Sequence, residues 1–143
     1  MAKSITPNQI KQNNRSLIYH CIYKKRKISQ QEISYELHLS RPTVTANLAG
    51  MENDGLVMKN GLIDTEFVGR KAAAYSIVPD YRISIGVEIL KKEIKMIAVS
   101  LYGEKIDRAT FDITFEHKES YFETVCKKIL EFKNMLAIRD ERV

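Results

Sequence analysis

Up to about residue 55 the apolar residues recur at helical spacing behind capped helix starts, and beyond that point they alternate with polar ones. This succession predicts an α+β chain: an N-terminal winged helix-turn-helix, then three antiparallel strands and one helix. Pro79-Asp80 interrupts the second pattern where a central strand could not continue, which places a domain boundary there. The expected domains are residues 1–79 and 80–143.

The first helix is expected to start at Thr6-Pro7-Asn8-Gln9, where Thr6 can cap, Pro7 suits the first helical position and Gln9 can reach back. Ile10, Leu17, Ile18, Cys21 and Ile22 form its apolar stripe, up to about Tyr23. Lys24-Lys25-Arg26-Lys27 follows as a compact basic turn. Ser29-Gln30-Gln31-Glu32 is a second capping box, with Ile33 and Leu37 facing inward and Leu39 plugging the turn. Ser40 caps a third helix whose inward side is Val44, Leu48 and Met51, and Asp54-Gly55 ends it. Leu56 to Lys59 and Ala73 to Val78 read as a two-stranded ribbon, with a polar loop ending in Gly69-Arg70-Lys71 between them.

In the second domain Ile83 to Leu90 and Ile94 to Leu101 alternate as strands, and a turn at Tyr102-Gly103 leads into a third, Ile106 to Phe115. Ala109, Phe111, Ile113 and Phe115 share one side of it. Ser120 to about Leu136 reads as an amphipathic helix with the stripe Phe122, Val125, Cys126, Ile129, Phe132 and Leu136.

The chain has 143 residues, 44% hydrophobic and 29% charged, a globular composition. Its net charge of +5 is unevenly distributed. Residues 1–59 hold nine Lys or Arg against four Asp or Glu, whereas residues 60–143 hold fourteen of each. The whole excess lies on the helix-turn-helix, as a polyanionic partner would require. Cys21 and Cys126 have no paired spacing and are expected to be buried free thiols. The histidines, His20, His38 and His117, adjoin no Cys/His cluster, so neither a metal nor a cofactor is expected. With no signal peptide and no apolar run of spanning length, the expected location is the cytoplasm, with no membrane partner.

A helix that reads bases needs short donors and acceptors at its N-terminal turns. Arg41, Thr43, Thr45 and Asn47 supply them, Ala46 can meet a thymine methyl, and the helix start at Ser40 can take a phosphate. Gln30 and Gln31 stand where a backbone phosphate would pass, Lys24 and Lys25 are phosphate contacts, and Gly69, Arg70 and Lys71 would bring a guanidinium to the minor groove. The alternatives are ordinary surface ones: a solvated helix face in a protein–protein module, plain surface glutamines, a loop with incidental charge. Asp64 and Glu66 would repel phosphate, which turns the middle of the wing away. No local signature places a Ser/His/Asp or Cys/His set, and His38 reads as a surface residue rather than a base.

These residues resemble the ROK family of bacterial sugar kinases and sugar-responsive repressors. The likeness rests on Asn14-Arg15-Ser16-Leu17-Ile18, Ile28-Ser29-Gln30-Gln31-Glu32-Ile33, Leu39-Ser40-Arg41-Pro42-Thr43-Val44-Thr45, Gly55-Leu56-Val57, Gly69-Arg70-Lys71 and the step into Ile83 to Ile89. The resemblance implies that the second domain is a partial actin-like (ribonuclease-H-like) β-β-β-α segment. Where the family's kinases turn through glycines that hold nucleotide phosphates, this chain has Glu88-Ile89-Leu90-Lys91-Lys92, whose side chains keep backbone amides away from a phosphate. Neither the family's sugar site nor its Cys-rich zinc motif falls within these residues, so no sugar effector is carried over.

The expected function is sequence-specific binding of double-stranded DNA by a transcriptional regulator, a repressor acting as a homodimer on a palindromic operator, and not an enzyme. A protein-interaction or dimerisation module and a sugar-kinase remnant without ATP binding are the alternatives. Three strands and a helix would leave a strand edge and an apolar stripe uncovered, so the second domain is expected either to be part of a larger one or to self-associate.

Overall fold

The computed structural model describes residues 6–64 and 71–136. The chain divides into two compact units, Met1–Val78 and Pro79–Val143.

The first unit is built from α1 (Pro7–Lys25), β1 (Ile28–Ser29), α2 (Gln30–Glu36), α3 (Arg41–Asn53), β2 (Val57–Asp64) and β3 (Lys71–Ile77). All three helices start where the sequence places a cap. Thr6 and Ser29 form full capping boxes with Gln9 and Glu32, and the Ser40 hydroxyl accepts the Thr43 N–H. The ribbon is three-stranded rather than two-stranded, in the order β1-β3-β2. Ile28 and Ser29, extended just before α2, pair antiparallel with Tyr75 and Ala74. Ile18 and Ile22 of α1, Ile33 of α2, Val44, Leu48 and Met51 of α3, and Val57, Ala74 and Ile77 of the ribbon are buried together. Each fully buried aliphatic side chain of this size contributes about 1.5–3 kcal/mol relative to exposure. The α1 stripe is narrower than expected, because Ile10 and Leu17 are about half exposed and only Ile18 and Ile22 reach the core.

Two helix ends close in the same way. At the end of α3, Gly55 adopts φ 72° while its N–H donates to Glu52 O and that of Leu56 to Met51 O. At the end of α2, His38 adopts φ 51°, with its N–H on Tyr35 O and that of Leu39 on Ser34 O. Both are Schellman closures, but only the first has the glycine that this backbone favours. The basic turn holds a second left-handed residue. Arg26 lies at φ 64°, ψ −42°, and the Lys27 N–H donates to Lys25 O at 2.7 Å, a tight γ-turn of the rarer hand.

The second unit is an antiparallel meander of β4 (Ser84–Ile89), β5 (Ile94–Val99) and β6 (Lys105–Phe111), followed by α4 (Glu119–Met135). The third strand ends at Phe111, short of the expected Phe115. One face of the sheet is buried through Ile94, Met96 and Ala98, packed with Tyr121, Val125 and Phe132 of α4. The helix is turned one position from the expected stripe. Tyr121 is buried and stacks edge-on with Phe115 at 5.1 Å, whereas Phe122 and Cys126 are exposed. Cys21 is only half-buried, so neither thiol is fully buried as expected. Val87 and Ile89 lie in register with Met96 and Ile94, yet remain exposed, as do Leu130 and Met135.

Candidate nucleic-acid interface

The start of α3 and the start of α2 lie side by side. Gln31 and Arg41 line one shallow cleft with Ser34 and Tyr35; Gln30 and Arg41 line another with Ala72 and Ala73 of β3. Arg41, Thr45 and Ala46 are exposed, Thr43 is half-buried, and Ser40 is exposed at the cap. Gln30 and Gln31 are half-buried.

Asn47 departs from its expected position on the outer face. It is buried, and its amide donates to Thr43 O at 2.8 Å. Position 47 lies three residues after Val44 and four before Met51, which puts it on the helix's inward stripe. The two threonine hydroxyls also have partners within the protein. Thr43 Oγ1 lies 2.8 Å from Ser40 Oγ. Thr45 Oγ1 donates to Arg41 O at 2.8 Å and accepts the side-chain amide of Gln30.

The basic turn is exposed throughout. Lys25 Nζ pairs with Glu36 at 2.7 Å, and that hydrogen bond, with the charge behind it, raises the lysine's pKa. Lys25 therefore holds the end of α1 to α2, and in water such an exposed pair exchanges readily. Lys24 is exposed on the neighbouring position. Lys27 reaches across the ribbon, its Nζ close to Gly61 of β2. Burial, with Glu36 adding to it, pushes the Cys21 thiol up from its ordinary value.

On the wing, Asp64 and Lys71 face each other at the end of the β2–β3 ladder, both exposed. Gly69, Arg70 and Glu66 lie outside the described residues. At the β4–β5 turn the Leu90 N–H donates to Glu93 O, closing a tight hairpin. Among the described residues no three His, Cys, Asp or Glu side chains are grouped to hold a metal ion, and no helix is long and apolar enough to cross a membrane.

Residues 12–58 match the sequence family described as winged helix-turn-helix DNA-binding. No curated protein sequence matches the chain. Among solved structures, one described as a ROK family transcriptional regulator, homolog of the E. coli MLC protein, is similar with a TM-score of 0.61 at 20% identity. The likeness covers 90% of this chain and 32% of that one. The chain thus carries a winged helix-turn-helix DNA-binding domain, and its fold is similar to that of a minor part of a ROK family regulator.

Proposed function

We propose that the chain is a sequence-specific DNA-binding transcriptional regulator, a repressor of the ROK type. Its α3 lies in the major groove, and its wing, through Gly69, Arg70 and Lys71, lies in the adjacent minor groove. The observation that carries this reading is the exposed start of α3, with Arg41 and Ala46 outward, beside Gln30 and Gln31 and on the unit that holds the whole positive excess. In it Arg41 contacts a base edge, Gln31 and the α3 start at Ser40 meet phosphates, and Lys24 and Lys25 add sequence-independent attraction.

Two heads on a palindromic operator are part of the proposal, because an isologous dimer presents two recognition helices to successive major grooves. The exposed apolar side chains Val87, Ile89, Phe122, Leu130 and Met135 of the second unit favour self-association through that unit. Sedimentation equilibrium tests it: a monomer at all concentrations removes the dimer from the proposal.

DNA binding is tested by filter binding to random duplex at two salt concentrations, followed by gel shifts on sites recovered from a randomised pool. Affinity that falls steeply with salt, and a loss of about 1–3 kcal/mol on Arg41→Ala, are expected. Salt-independent or undetectable binding would point to a protein-interaction module instead.

A further inference from the structure

The hydrogen bonds around α3 run in one direction and fix what the interface offers to a base. Thr45 has one hydroxyl proton, and it goes to Arg41 O. Toward Gln30 the same oxygen must therefore accept, so the glutamine turns its N–H2 to Thr45. That leaves Gln30 with one further N–H on the tethered nitrogen and with Oε1 as an acceptor, the latter with no hydrogen-bond partner among the described residues. Thr43 is engaged with the Ser40 cap and Asn47 faces the core. Beside the charged Arg41, the outer side of α3 therefore presents the exposed Ala46 methyl and the Thr45 side chain, whose polar atom is already engaged.

We infer that Gln30, a residue of α2 and not of the recognition helix, determines specificity by accepting one hydrogen bond from an exocyclic amino group in the major groove. This inference rests on the DNA-binding reading above. Adenine N6 and cytosine N4 are the two donors of that kind, whereas guanine and thymine present O6 and O4 acceptors at the equivalent place. A glutamine with both ends free would grip adenine through N6 and N7 together. Tethered to Thr45 through one of its two N–H bonds, Gln30 cannot swing its nitrogen freely onto N7, so the Oε1 contact, common to adenine and cytosine, dominates and guanine and thymine are disfavoured. The Ala46 methyl supplies an apolar neighbour suited to a thymine C5-methyl on an adjoining pair.

The test selects bound sites from a randomised duplex pool with the full chain and with two variants, each checked for folding by circular dichroism. The unaltered chain should recover sites with one position per half-site occupied by adenine or cytosine, with guanine and thymine about tenfold weaker in competition. Gln30→Met should erase the preference at that position and leave the others unchanged. Thr45→Val removes the tether while keeping the shape, and should narrow the preference from adenine-or-cytosine to adenine alone. Specific sites that lack such a position, or a Gln30→Met variant that selects the same sites as the unaltered chain, overturn the role of Gln30 alone. Absence of any sequence-selective binding overturns the DNA-reading proposal itself.

Discussion

His38→Gly should stabilise the first unit. His38 holds the same place in the α2 closure that Gly55 holds at the end of α3, with φ of 51° and 72°. An L-residue in this left-handed region costs about 1–2 kcal/mol. Glycine avoids that cost but loses about 0.5–1 kcal/mol through the greater freedom of its unfolded chain. The difference leaves a net gain of the order of 0.5–1 kcal/mol, since His38 is exposed and gives up no buried contact. For a unit of this size that corresponds to a rise in Tm of roughly 2–8 °C. Gly55→Ala is the mirror experiment. A Cβ at Gly55 meets nothing within 4 Å, so its cost is conformational alone, a loss of about 1 kcal/mol. Differential scanning calorimetry and urea titration followed by circular dichroism would measure both. An unchanged or lower Tm for His38→Gly would refute the assignment of left-handed strain to the helix-turn.

Other outcomes follow from the same geometry. Asn47→Leu should change the melting temperature but leave site preference in a gel shift as it was, because the buried amide serves Thr43 and not a base; altered preference would return Asn47 to the interface. Lys24→Ala should weaken binding to all duplexes alike and reduce the salt slope by about one, read by titration at several salt concentrations. Cys126, exposed, should react with iodoacetamide well before half-buried Cys21, as peptide mass mapping of partly alkylated protein would show. Because burial raises the Cys21 pKa in the folded chain, the stability it contributes is present below the ordinary thiol value. That contribution is lost as pH rises through the thiol range, so unfolding midpoints should fall there in the unaltered chain and less in Cys21→Ala.

The caps at Thr6, Ser29 and Ser40 were legible in the sequence because capping needs particular residue types at a fixed spacing of three. The strand alternation from Ile94 to Val99 was equally direct, since each inward residue is apolar. The pairing of Ile28 and Ser29 with β3 was not, because two residues show no period. Asn47 was misplaced by its chemistry: its polarity suggested solvent, although its position follows Val44 and precedes Met51 on the inward side. The engagement of Thr45 had a faint signal, as helical threonines often return their proton to the carbonyl four residues back. On α4, Tyr121 and Phe122 offer equivalent aromatic rings in sequence, and only packing against Phe115 and the sheet selects Tyr121.

Ser29 belongs to two structures at once. It pairs with Ala74 in the ribbon, while its N–H and hydroxyl both donate to the Glu32 carboxylate and its oxygen accepts the Glu32 N–H. It is almost wholly enclosed, at 1% exposure, so nothing but protein holds it. In the proposed complex, a tug on the wing by a sugar-phosphate strand would therefore be delivered, one peptide bond later, to the glutamine that leans on Thr45. If the proposed wing and base contacts are made, grip on one groove and reading of the other would be mechanically linked without any third element between them.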